Sequence, residues 1–232
     1  MTLPAAFRLP FLAVLLGLSG MCALVYQTAW LRDLRLVFGG ATPAAAAALA
    51  IFMGGLGIGS AVLGRRAEAA PDPLRLYGLI ELGVGASALL TPFLLVAVRA
   101  LYVATGGISA LGLVPATLLQ LVLSAVVLGV PCALMGGSLP AAFKWAETER
   151  ADRDAQRGDL GVLYGVNTLG AVAGVMLSTF WILEAWGIRT TVWAAAVINL
   201  AVGAAAWWAS RGGEGASGRA RADRPQPAAA GA

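Results

Sequence analysis

The chain has 232 residues, 59% of them hydrophobic and 12% charged, with a net charge of +4 and a mean hydropathy of +0.80. A soluble domain carries about 25% charged residues, so this composition excludes an ordinary water-soluble globule. There is no histidine, which removes histidine-ligated haem, histidine-containing zinc sites and Ser-His-Asp catalysis from this chain; the basic residues lack interleaved aromatics, which argues against a nucleic-acid surface.

Six apolar segments reach the about 20 residues that a bilayer crossing needs. The first is Leu9–Leu31, preceded by Arg8. Its apolar run continues to Trp30, beyond the roughly 7–15 residues of a signal-peptide core. Leu18–Cys22 has the outline of a lipoprotein cleavage site, but Met21 is too large before the cysteine, so the segment reads as an uncleaved helix. Cys22 and Cys132 both lie in apolar runs and read as small buried hydrophobes, not as a disulfide framework. Gln27, near Arg32 and Asp33, reads as a helix–helix hydrogen-bonding group.

The second segment, Thr42–Gly64, carries Gly55 and Gly59 one helical turn apart and is followed by Arg65 and Arg66. As packing, the two glycines let a neighbouring backbone approach closely. A glycine-rich helix ending in paired arginines also resembles the second-to-third loop of major facilitator transporters. That resemblance implies a cytoplasmic gate at Arg65 and Arg66, with Glu68 or Asp72 as the acidic partner.

The third segment is Leu74–Val98. Glu81 is the sole acidic residue well inside any segment, about 10 Å from the near end at 1.5 Å per residue. Residues 83–88 (GVGASA) formally match a relaxed dinucleotide fingerprint, but they lie in an apolar helix with no preceding strand, so the match is rejected. The fourth segment is Gly112–Met135, with Gln120 inside it. Pro131 and Pro140 bracket Gly136 and Gly137, which predicts a kink or break before Lys144. The charged stretch Glu147–Asp159 reads as a solvated helical extension.

The fifth segment, Leu160–Leu183, holds two small-xxx-small pairs, Gly161 with Gly165 and Gly170 with Gly174, and both Tyr164 and Asn167. Glycine is a poor helix residue in water but favours close helix contacts in lipid. The sixth segment is Thr190–Ala209, with Asn199 near its middle. Residues 210–232, rich in Gly, Ala, Arg and Pro, read as a disordered cytoplasmic tail or linker after the membrane domain 1–209.

Twelve of the sixteen basic residues fall on the side shared by the N-terminus, the second-to-third and fourth-to-fifth connections and the tail. The positive-inside rule then places both termini in the cytoplasm, as an even number of crossings requires. Trp30, Trp181 and Trp186 near one boundary, and Trp145, Trp207 and Trp208 near the other, outline an aromatic belt. The expected fold is all-α and polytopic, in a bacterial inner membrane.

Glu81 and Asn167 are at similar depths, with Tyr164 one turn closer to the cytoplasm, and the three are expected to form a polar cluster between helices. Two readings stand: a structural hydrogen bond that fixes packing, or a proton or cation site. Gln120 and Asn199 read as helix–helix hydrogen bonds. No catalytic residue, cofactor or metal site is expected.

Three stretches, Gly17–Arg32 (GLSGMCALVYQTAWLR), Phe52–Ser60 (FMGGLGIGS) and Leu163–Gly174 (LYGVNTLGAVAG), together resemble the membrane region of bacterial fused spermidine-synthase-like proteins, also called fused major-facilitator/spermidine synthase. The resemblance spans roughly residues 10–210. It implies a membrane bundle that in relatives precedes a cytoplasmic aminopropyltransferase domain; the 23 residues after Ala209 are too few for such a domain. Gln27 stands where relatives often carry glutamate. The expected role is a membrane scaffold or partner subunit, docking a soluble or membrane protein or forming a homodimer. The alternatives are a small polyamine or organic-cation transporter and an accessory subunit of a larger membrane complex.

Overall fold

The computed structural model describes residues 4–38, 42–149 and 152–222. Among these there is no strand. The helices are α1 (Ala5–Phe38), α2 (Thr42–Glu68), α3 (Pro73–Ala104), the short α4 (Gly107–Leu111), α5 (Leu113–Thr148), α6 (Arg153–Leu177) and α7 (Leu183–Ala222), with a π-helical turn at Ser178–Ile182 between the last two. Five helical stretches, Ala6–Leu36, Ala48–Glu68, Pro73–Leu111, Leu113–Thr148 and Asp154–Arg211, are long and apolar enough to cross a membrane. The chain is therefore a multi-pass membrane protein.

The last stretch has 58 residues, about 87 Å if straight and far longer than a bilayer is thick. Gly187 divides it. Its φ of 74° and ψ of 170° are non-helical, in a region essentially restricted to glycine. The connection expected between Leu183 and Thr190 is thus a single non-helical glycine inside α7, preceded by the π-turn at Ser178–Ile182, with no separate loop.

Other boundaries differ from the sequence expectation in informative ways. α5 runs as one helix through Pro131 and Pro140, so the expected interruption before Lys144 is not a break. The charged stretch 147–159 is shared between the end of α5 and the start of α6, and Asp152 caps α6 by accepting from the Asp154 N–H at 3.1 Å. Asp72 caps α3 likewise, accepting from Arg75 N–H at 3.0 Å, with Pro73 in the first turn. α7 continues helically past Ala209 to Ala222; of the expected tail, residues 223–232 lie outside the described residues.

Each of the first three long helices takes its main partner from the second half of the chain: α1 packs on α6, α2 on α5 and α3 on α7. Glycines set all three contacts. A Cβ on Gly170 or Gly174 would strike the α1 backbone at Gly17 or Met21. One on Gly59 would strike Ala133 of α5, and one on Gly136 would strike Leu56 of α2. On the third pair, a Cβ on Gly203 would lie 2.7 Å from Leu82 N and 2.8 Å from Gly78 O. Residue numbers rise together along α1/α6 and along α2/α5, so those pairs are parallel. Gly78 faces Gly203 and Trp207 whereas Gly85 faces Ala196 and Leu200, so α3 and α7 are antiparallel. Gly161 and Gly165, expected as a packing pair, have open space where a Cβ would go. Val166 and Asn167 instead are the α6 residues that lie against Gly17 and Gly20 of α1.

Candidate functional site: a carboxylate buried between four helices

Glu81 lies on the inner face of α3 and is wholly buried. Two side chains from other helices donate to it. The Ser19 hydroxyl on α1 donates to Oε1 at 2.7 Å, and the Asn199 amide on α7 donates to Oε2. The carboxylate therefore ties α1, α3 and α7 together at one level. The hydroxyls of Tyr77, one turn before Glu81 on α3, and of Ser138 on α5 border the same carboxylate. Both are buried, yet neither closes a hydrogen bond of normal geometry among the described residues. Among the described residues, the side chains that act on Glu81 are the uncharged Ser19, Ser138, Asn199 and Tyr77.

Beyond Asn199 the polar contacts continue along α1. Tyr26 O–H donates to Asn199 Oδ1 at a long 3.4 Å. The Tyr26 ring stacks on Trp30 with centroids 5.3 Å apart. Trp30 Nε1–H donates to Thr91 Oγ1 at 3.0 Å, and Thr91 donates on to the Ala88 carbonyl at 2.8 Å. Trp30, placed by sequence in the outer aromatic belt, is only 2% exposed. A buried indole needs a partner for its N–H, and Thr91 supplies it. Trp181, Trp186 and Trp208 are exposed, as a belt requires.

The cluster expected from sequence thus forms around Glu81 with different partners. Asn167 is half-buried against Gly20 of α1, on the turn that carries Ser19, and Glu81 takes its hydrogen bonds from Ser19 and Asn199 instead. Tyr164 is 58% exposed on the outside of α6. The difference is one of helix rotation: Gly170 and Gly174 face α1, and Tyr164 is turned about 100° round the helix from them and is exposed. Asn199 was legible as a buried polar group, and Gln120 donates to Tyr102 O–H at 2.7 Å as a helix–helix bond. Tyr77 was findable by its spacing of four residues from Glu81 on one helix. Ser19, Ser138 and Tyr26 had no local signal.

Arg65 and Arg66 are exposed at the end of α2. Asp72, one of their two candidate partners, is engaged in capping α3, and neither arginine forms an ion pair among the described residues.

A second feature is a cleft of about 270 Å³ at the bundle end where α1 and α6 start and α5 finishes. Arg8, Trp145, Glu149 and Asp159 line it, and Arg8 pairs with Glu149 across it. Comparison with protein-family models, with curated proteins and with solved structures finds no match to this chain.

Proposed function

We propose that this chain crosses a bacterial inner membrane six times, with both termini cytoplasmic, and serves as a scaffold or partner subunit for another protein. The Gly187 break supports six crossings over five. So does the direction of the helix pairs. With alternating crossings, the first and fifth spans run the same way, as do the second and fourth, and the third and sixth oppose; α1/α6, α2/α5 and α3/α7 have these relations. The basic-residue asymmetry supports the orientation.

The charged cleft at one end carries the scaffold reading. Arg8, Glu149 and Asp159 gather there beside Trp145, at the end that the orientation assigns to the cytoplasm. A mixed-charge rim beside an aromatic side chain suits a protein partner. A separately encoded aminopropyltransferase is the soluble partner that the family resemblance suggests. Extraction in mild detergent is expected to retain a stoichiometric partner, which charge reversal at Arg8 and Glu149 together releases. Recovery of a partner-free monomer under the same conditions refutes the scaffold.

Glu81 favours a second reading, a transporter of polyamines or other organic cations, because ionisable groups deep in a bundle mark ion and substrate pathways. Proteoliposomes carrying the protein would then take up labelled putrescine or spermidine, and Glu81→Gln would abolish uptake. Equal uptake with and without the protein eliminates this reading.

A further inference from the structure

The polar shell around Glu81 is matched to both protonation states of a carboxyl group. In the ionised state the two oxygens accept from Ser19 and Asn199, and the two hydroxyls without partners, Tyr77 and Ser138, are further donors at hand. In the protonated state the new O–H needs an acceptor. Those same hydroxyls provide one, because a hydroxyl both donates and accepts. Neither state requires a side chain to be brought in from elsewhere.

The surroundings do not lock either state. Facing Glu81 are Ser19, Cys22 and Tyr26 from α1, Tyr77 from α3, Ser138 from α5 and Asn199 from α7. None of these is a permanent cation that would hold the carboxylate ionised, and none is a second carboxylate that would hold it protonated. An ionised carboxylate with no counter-charge is costly in a membrane interior, so four neutral dipoles must offset that cost.

The shell is also asymmetric. Towards Asn199 the hydrogen bonds lead to Tyr26, whose ring stacks on Trp30; the next polar link is the Trp30 indole N–H to Thr91, and an indole N–H donates without accepting, so it does not relay a proton. Of the two hydroxyls without partners, Tyr77 is one turn nearer the start of α3, and Ser138 borders the carboxylate from α5.

We propose that Glu81 is a reversible intramembrane proton-binding site, loaded from the α3 N-terminal side through the Tyr77 and Ser138 hydroxyls. Loading starts from hydronium in bulk water, which gives up one O–H bond; each relay hydroxyl takes one proton and passes on another, and the net change is one new O–H bond at a Glu81 carboxylate oxygen. This inference is independent of whether the protein scaffolds or transports.

Difference infrared spectroscopy of the full chain in lipid nanodiscs, titrated with pH, tests it. The expected result is one carbonyl band of a protonated, buried carboxyl group that is present at low pH, lost at high pH, and absent in Glu81→Gln but retained in Glu149→Gln. Tyr77→Phe, which keeps the ring, is expected to shift the frequency of that band by removing a hydrogen-bond partner. A band that persists at every pH, a band that never forms, or a band indifferent to both Glu81→Gln and Tyr77→Phe overturns the proposal. A band removed by Na⁺ at fixed pH overturns it in favour of a metal-cation site. Should Glu81→Gln not fold, the pH titration and the Tyr77→Phe shift still decide.

Discussion

Gly203→Val should loosen the bundle and disconnect the buried carboxylate in one step. A Cβ at Gly203 lies 2.7 Å from Leu82 N and 2.8 Å from Gly78 O, and both are main-chain atoms that cannot rotate away. Reaching ordinary contact, which starts at 3.4 Å, requires α3 and α7 to separate by about 0.7 Å, the difference from 2.7 Å, before the two γ-methyls are accommodated. Asn199 is one turn before Gly203 on α7, and Glu81 is the residue before Leu82 on α3. The separation therefore acts directly on the Asn199–Glu81 hydrogen bond. Overpacking costs about 1–3 kcal/mol, and losing a hydrogen bond to a charged group costs about 1.5–3 kcal/mol, so the expected total is roughly 3–5 kcal/mol. Reversible unfolding in mixed micelles measures it, with Gly57→Val, where a Cβ meets nothing, as the control. Equal stability of Gly203→Val and Gly57→Val refutes the reasoning, because the close approach of α3 and α7 would then not be limiting.

Gly187→Ala should lower stability by about 1–3 kcal/mol, because φ 74° with ψ 170° is strained for any side chain; an unchanged unfolding midpoint would show that the junction bends elsewhere. Trp30→Phe removes the N–H that Thr91 accepts while keeping an aromatic ring against Tyr26, and is expected to cost about 1 kcal/mol, measured by the same unfolding assay. The Arg8–Glu149 pair has side chains 36% and 29% exposed, so Arg8→Ala is expected to change stability by at most about 1 kcal/mol; a larger, salt-independent loss would show that the cleft is structural.

What the sequence made legible follows from how local each signal is. The long helices announce themselves through uninterrupted apolar runs, and Glu81 stands out because an acid inside such a run has no cheap explanation. Helix ends were less legible. α1 and α3 extend well past their apolar runs, and α5 carries two prolines without breaking, because neighbours supply what the isolated helix lacks. Rotation about the helix axis was least legible. Gly161/Gly165 and Gly170/Gly174 look equivalent as text, yet only the second pair meets α1. With that face against α1, Tyr164 is exposed while Ser19 of α1 reaches Glu81. Serine signals little in a sequence because it is common and small, so Ser19 and Ser138 become visible only when four helices are placed together.

The pairing of each early helix with a late one has a consequence for biogenesis. α1, α2 and α3 leave the ribosome first, and their principal partners α6, α5 and α7 are made afterwards. Until then the glycine-lined faces of the first half have only lipid to meet, and the Glu81 carboxyl lacks both Ser138 and Asn199. The first half is therefore a waiting intermediate, not a folded unit. A chain interrupted after α3 is expected to be a substrate for membrane quality control, whereas the last helix to arrive closes the bundle and shields the acid.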